Sequence, residues 1–449
     1  MNNELLKGSC AELLSKRNFR ELKKELEAMH PYDVAELFVE IDNDTEAIVF
    51  RLLSKDFASE VFAYLDSDDR QRLLNALSDK EVSAILDELY IDDMIDIIEE
   101  LPANVVNRIL RITNPKNRHL INYYLKYKEG SAGSLMTAAF TRLRKDMSVK
   151  EAIEYIRNNG QNRESIYTLY VTDNHRLLEG VINIKDLLLS KDDDSIKDLM
   201  DDKVIAVGTD ETQEAVIKYF NDYDFITLPV VDLENRLVGI ITVDDVLEVA
   251  SKEATEDFEL MAGMSPSEEP YLKTTVFELA KHRFLWLLVL MISEMINGAI
   301  LQHYEDAFLV LPILVSFMPM LTDTGGNAGS QSSTLIIRGM ALNELSIKDI
   351  KKIITKEFEV AMLVGCGLFV VNFIRIYLMY NHNLLLSLTI SSALLVIVVI
   401  SKLCGSILPL VAKSLKMDPA IMAAPLITTI VDALGLIIYF NIAKMIMHI

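Results

Sequence analysis

Five apolar stretches crowd the last third of this 449-residue chain, at roughly 284–302, 307–337, 358–379, 384–413 and 419–447. Each is long enough to cross about 30 Å of hydrocarbon, where unpaired backbone groups are costly and a spanning segment of this kind must be helical. Charge divides at the same place. The first 283 residues hold 34 basic and 56 acidic side chains, which accounts for the whole formal charge of −22, whereas the rest carries ten of each sign. The flanks set an orientation. Lys281 and Arg283 precede the first stretch, Arg338, Lys348, Lys351, Lys352 and Lys356 crowd the second connection, and Lys413 with Lys416 lies in the fourth. The first and third connections carry Glu305, Asp306 and the run Asn381-His382-Asn383 instead. The positive connections fall on the side of the N-terminal block, which predicts a cytoplasmic N-terminal part and an outward C-terminus in a multi-pass plasma-membrane protein. The opening MNNELLKGSC has no apolar core, so no cleavable signal peptide is expected.

An acidic surface repels nucleic acid and anionic lipid and attracts cations. The three cysteines are far apart and show no zinc or redox spacing, and a disulfide framework is not expected. No GxxxxGK[ST], HExxH or GxSxG run is present, and the seven histidines are scattered. A catalytic constellation or an ATP-driven pump is therefore not expected.

Residues 1–130 read as helical. From His30 the sequence falls into units of about twelve residues, among them HPYDVAELFVEI, KDFASEVFAYLD, SDDRQRLLNALS and IDDMIDIIEELP. Each opens on a polar cap and continues as a short apolar pattern, which predicts a superhelix of capped helices. Between 135 and 250 lies a longer duplication, displaced by about 64 residues. LMTAAFTRLRKDMSVKEAIEYI returns as LMDDKVIAVGTDETQEAVIKYF, and YVTDNHRLLEGVINIKDLL as PVVDLENRLVGIITVDDVL. This resembles a tandem pair of CBS domains. In the second copy Gly239, Thr242 and Asp245 resemble the Gly-x-x-Thr-x-x-Asp pattern by which some such domains hold adenosine nucleotides, so ATP is a candidate ligand there. The first copy has Asn183 at the threonine position, and a helix N-cap alone would also favour Thr and Asp.

Polar groups within membrane spans are costly and therefore informative. The second stretch contains Pro312 and Pro319 and then Asp323, Thr324, Gly325, Gly326, Asn327, Gly329, Ser330, Gln331 and Thr334. Small residues favour tight helix packing. The polar side chains Asp323, Asn327 and Gln331 call in addition for a pore or vestibule. In the fifth stretch Asp432 is a lone carboxylate between apolar runs. Mg²⁺ takes one or two carboxylates and keeps several waters. Two facing copies of Asp432 across a two-fold axis would suit a largely hydrated divalent ion.

The helical repeat, the CBS-like pair, five spans, GGNAGSQ in the second and DPA…P…D in the fifth together resemble the MgtE family of magnesium channels over nearly the full chain. The resemblance implies a homodimer in membrane lipid, with a pore on the dimer axis and Mg²⁺ both transported and regulatory. It places Asp432 at the central ion site and Asn327, Ser330 and Thr334 beside the pore, with Asp323, Gly325, Gly326 and Ala424 also expected to line it. Where some members have Asn before the fifth-span proline, this chain has Ala424.

The implied organisation is an all-α superhelical domain over 1–130, α/β CBS domains over 131–198 and 199–243, a connecting or plug helix and linker over 244–270, and a five-helix membrane domain over 271–449. The connecting segment is crowded with Asp245, Glu248, Glu253, Glu256 and Asp257. Asp92 and Asp96 lie four apart, on one helix face, with Glu60 earlier. The resemblance adds Glu214 and Asp224. Such carboxylates repel unless a divalent cation bridges them, and an ordinary solvated surface would also carry them. The function expected is passive entry of Mg²⁺, shut by Mg²⁺ on the acidic domains. A gradient-coupled carrier of Mg²⁺, Mn²⁺ or Co²⁺ and a nucleotide-sensing membrane protein are the alternatives.

Overall fold

The computed structural model describes residues 10, 12–38, 41, 43–267, 271–272, 274–304, 312–342, 344–422 and 424–448, and at 43, 44, 91, 92, 162 and 424 it describes the backbone alone. It forms two compact units, Met1–Val249 and Ala250–Ile449.

The first unit opens with short helices, α1 (Phe19–Leu26), α2 (Pro31–Phe38), α3 (Asn43–Phe50), α4 (Lys55–Tyr64), α5 (Ser67–Ala76), α6 (Asp79–Leu86), α7 (Ile91–Glu100), α8 (Ala103–Ile112) and α9 (Pro115–Tyr124), of which α2 to α8 fall one per repeat. Polar caps set the starts. Asp66 accepts from the Asp69 N–H, and Ser78 and Glu81 form a reciprocal capping box. Helices of such length bury too little alone, and they pack on second neighbours: α2 on α4, α4 on α6 and α6 on α8, with α3 on α5 and α7 on α9. Val34, Phe38, Val61, Phe62, Leu73, Leu86 and Met94 form the dry interior. Arg51–Glu81, Arg70–Glu100 and Arg108–Asp79, each at 2.8 Å, tie turns about thirty residues apart. The Arg51 hydrogen bond, followed by those of Ser78, lowers the Glu81 carboxyl to about 2.

The duplicated segment builds two sheets of like order. β1 (Phe140–Leu143) is parallel to β2 (Ser165–Thr172), which pairs antiparallel with β3 (Leu178–Asn183). β4 (Val207–Gly208), β5 (Thr227–Val231) and β6 (Leu237–Thr242) repeat the pattern. The halves are joined by a buried hydrogen bond between the Tyr170 and Thr227 hydroxyls, 2.6 Å. Their hairpin turns also exchange Leu178 N–H to Asn235 O and Leu237 N–H to Arg176 O. Ile95 of α7 is buried in the same core as Met136, Phe220 and Ile241, so the helical repeat and the second sheet share one interior.

A single helix, α10 (Val243–Met261), leaves β6 directly. The second unit then holds α11 (Val276–His303), α12 (Met318–Ala341), α13 (Ile350–Met379), α14 (Leu384–Ser414) and α15 (Ala424–Met447). Four segments, Val276–His303, Ile347–Met379, Leu384–Ser414 and Pro419–Met447, are long and apolar enough to cross a membrane. α12 is 24 residues long, but its polar run keeps it below that apolarity. The first and third helices begin earlier than the apolar pattern, at Val276 rather than 284 and Ile350 rather than 358. A Thr275–Glu278 capping box nucleates the first, and both continue through charged turns that hydropathy does not mark. Residues 305–311, with Glu305 and Asp306, lie outside the described residues.

α14 is the hub, packing against α12, α13 and α15. At its crossing with α12 a side chain on Gly405 would overlap the Gly329 carbonyl, and a Cβ on Gly329 would lie 2.8 Å from Ile427. The two backbones therefore touch. Gly405→Ala is expected to destabilise the helical unit by at least about 1–3 kcal/mol, read as a lower melting temperature in detergent. Gly367→Ala, where nothing lies within 4 Å, should leave it unchanged or slightly raised.

Candidate cation pathway and acidic cluster

α12 has two faces. Leu321, Gly325, Gly326, Ala328, Gly329, Ser332, Ser333, Ile336 and Ile337 are buried against neighbouring helices. Asp323, Asn327, Gln331 and Thr334 recur at helical spacing on the other side and are exposed, with Ser330 half-buried beside them. Gly325 and Gly326, expected to line the pathway, sit instead on the packed face. A Cβ there would meet Ile397 at 2.7 Å and Thr428 at 3.0 Å respectively. The glycines let helices approach, and the polar stripe is what they leave uncovered.

Asp432 lies on α15. Its Oδ1 is buried with no hydrogen-bond partner among the described residues. Glu294 of α11 and Asp323 of α12 are within electrostatic reach of it. Glu294 accepts from Asn297 Nδ2 at 2.8 Å. It was missed in the sequence, although it is the single acid within the apolar run 284–303. Among the described residues no group of three or more metal ligands converges. Ser333 Oγ donates to the Met422 carbonyl at 3.0 Å, tying α12 to the start of the fifth span. The side chain of Ala424 lies outside the described residues.

The acids of the first unit gather at the base of α10. Asp244, Asp245 and Glu248 of its first turns interact with Asp93 of α7 and with Glu164, which precedes β2. Burial raises Asp93, Arg70 opposes that, and Asp244 and Glu248 add to it. Burial also lifts Glu164 to about 7, reinforced by Asp93, Asp245 and Asp244. Asp245 rises to about 6 for the same first reason, although its Oδ2 accepts from Thr242 Oγ1 at 2.6 Å. The sequence pattern pointed to Asp92 and Asp96, but it is Asp93 that faces this cluster. Asp96 is exposed, and the Asp92 side chain lies outside the described residues. Glu60, Glu214 and Glu256 are exposed, as is Asp224, the left-handed cap that ends the helix Gln213–Tyr223, while Glu253 and Asp257 are half-buried along α10. Gly239 packs its backbone on Met136, where a Cβ would come within 2.7 Å.

The far end of α10 belongs to the second unit. Leu260 and Met261 pack on Ile337 of α12 and Ala420. A Cβ on Gly263 would lie 2.9 Å from the Pro425 ring.

This architecture is a helical repeat and a paired α/β module followed by a polar-striped helical unit, and the last of these matches the family model of a divalent cation transporter. Family models match for the MgtE intracellular N domain over 29–130, the CBS domain over 132–192 and 196–252, and a divalent cation transporter over 318–442. The chain is 35% identical to the magnesium transporter MgtE of Thermus thermophilus over 451 residues, 99% of each chain. It is 31% identical to that of Bacillus subtilis over 97% of this chain and 96% of the relative. A solved cytosolic domain of the Mg²⁺ channel MgtE in complex with ATP is 36% identical, with a TM-score of 0.52, covering 54% of this chain and 99% of its own. The chain belongs to the MgtE family.

A carboxyl raised by folding is stabilising below its unfolded value and loses that benefit as pH rises through the folded one. Glu164 and Asp245 are raised, so between about pH 4.5 and 7 acidification should favour the closed acidic cluster. In chelator-treated full-length protein, resistance of the α9–β1 connection to proteolysis should rise from pH 8 to pH 6. Glu164→Gln should flatten that slope.

Proposed function

We propose that the chain is a homodimeric magnesium channel that passes Mg²⁺ passively into the cell and is held shut by Mg²⁺ on its acidic domains. The observation that carries this reading is the exposed stripe Asp323, Asn327, Gln331 and Thr334, with Asp432 in electrostatic range of Asp323 and of Glu294. Such a surface is stable at membrane depth only against protein or a water-filled cavity. One chain supplies single carboxylates rather than a complete site, and a second copy related by a two-fold axis supplies the rest. In this reading α12 is a fifth span, the C-terminus is outside, and Asn327, Ser330 and Thr334 flank the ion. Gly325 and Gly326 contribute by packing.

The domain scheme of 1–130, 131–198, 199–243, 244–270 and 271–449 assigns sensing to the first four parts and conduction to the last. A hard, oxygen-binding divalent cation is the ligand these acids would favour, drawing them closer than the spacing seen here, where no three described ligands converge. Its carboxyls are raised partly by one another, and a bound cation would relieve that repulsion. Asp93 and Glu164 join Asp245 and Glu248 as candidate ligands, with Asp92, Asp96, Glu60, Glu214, Asp224, Glu253, Glu256 and Asp257 around them. The contact of Leu260 and Met261 with Ile337 gives the connecting helix a direct hold on the pathway helix. ATP is a candidate ligand at Gly239, Thr242 and Asp245, where the Thr242–Asp245 hydrogen bond would open to receive a ribose.

The test is Mg²⁺ flux into liposomes holding the full-length protein. Wild type should conduct at low Mg²⁺ on the cytoplasmic face and slow by about tenfold or more at millimolar Mg²⁺, a shift within usual allosteric coupling. Asp432→Ala should change the rate sharply. Indifference to both would remove Asp432 and the acidic sensor from the account.

A further inference from the structure

Lys402 is a lone cation in the interior of α14, and it is only 5% exposed. Its Nζ donates to Ser332 Oγ at 3.3 Å, and Ser332, fully buried, donates its own proton to Glu357 Oε2 at 2.6 Å. The three residues come from three helices, α14, α12 and α13. A buried ammonium without a counter-charge is strongly unfavourable, so the hydroxyl bridge to Glu357 is what makes the site neutral. Ser332 lies one turn beyond Gly329, the residue whose carbonyl touches Gly405. Glycines bring helices close but offer no side chain to fix rotation about the axis. The relay supplies that second point. A rotation of α12 would carry Asn327, Gln331 and Thr334 away from their present direction, since they share its opposite face.

We propose that Lys402 and Glu357 are positioning residues for cation passage, acting through Ser332 to fix the rotation of α12 and to keep the buried charge beside the pathway at zero. The proposal rests on the reading of the exposed stripe as the pathway. It makes the two charges unequal in effect. Loss of Glu357 leaves an uncompensated ammonium, which repels entering cations. Loss of Lys402 leaves a carboxylate, which attracts and retains them.

The experiment is Mg²⁺ flux in liposomes with full-length protein at several Mg²⁺ concentrations, with melting temperature measured alongside. Glu357→Gln is expected to lower the maximal rate by about tenfold or more. The double variant Lys402→Met/Glu357→Gln should return to within about threefold of wild type, because it removes both charges while the amide oxygen introduced by Glu357→Gln still accepts from Ser332 and holds α12 in place. Lys402→Met alone should lower both the half-saturating Mg²⁺ concentration and the maximal rate, a split that general loosening of the fold does not give. Lys402→Arg should keep the wild-type half-saturation. Equal losses in both single variants that track their melting temperatures, with no recovery in the double, would overturn the proposal. So would wild-type flux in Glu357→Gln. If Glu357→Gln does not fold, the Lys402→Met split and its rescue by Lys402→Arg decide the matter, and an unchanged half-saturation in Lys402→Met overturns it. Wild type and Asp432→Ala, run beside these, report on the pathway itself and separate its failure from that of the relay.

Discussion

The helical unit depends on the backbone contact between α12 and α14. In hydrocarbon there is no hydrophobic drive to press one helix on another, so close packing of small residues and interhelical hydrogen bonds must hold the bundle. Gly329 and Gly405 give the closest approach, and Ser332, Ser333 and Lys402 give the polar fixings beside it. Because the small residues occupy one face of α12, Asp323, Asn327, Gln331 and Thr334 are gathered on the other. The same spacing that builds the bundle thus sorts the polar groups into a stripe.

Electrostatics organises the first unit in a different way. The acids at the base of α10 are drawn from α7, the approach to β2 and α10 itself, segments far apart in sequence. Apolar contacts bring them together, with Ile95 buried alongside the β5–β6 core, and they stay together against their own repulsion. Any cation that neutralised these acids, protons included, would relieve that repulsion. One uninterrupted helix of 19 residues carries acids at its start and an apolar pair, Leu260 and Met261, at its end.

Much of this was legible in the sequence. The twelve-residue period appears as one helix per unit, and the duplicated segment as two sheets of identical order. The polar run and Asp432 stood out because charges in apolar stretches are rare. The same argument, applied evenly, would have found Glu294 and Lys402. What periodicity could not supply was direction. It placed Asp92 and Asp96 on one face, whereas docking through Ile95 turns Asp93 toward the cluster. It also grouped Gly325 and Gly326 with the polar residues around them, and only the packing of Ile397 and Thr428 separates the two faces. Glu164 could not be found locally at all, since its partners lie on other elements.

The lengths of the spanning helices have a consequence for the lipid around them. α11, α13 and α14 hold 28, 30 and 31 residues. At about 1.5 Å per residue these are rods of about 42–46 Å, well beyond the hydrocarbon thickness of about 30 Å. They must lean, or carry their charged ends out among the headgroups. At one end of α15, the Lys444 ammonium lies 5.0 Å from the Tyr304 ring centroid, an amphipathic pair suited to the interfacial layer. Bilayer thickness therefore acts on the tilt of these helices, and through the shared crossing at α14 a thinner or thicker membrane would alter the angle at which α12 is held.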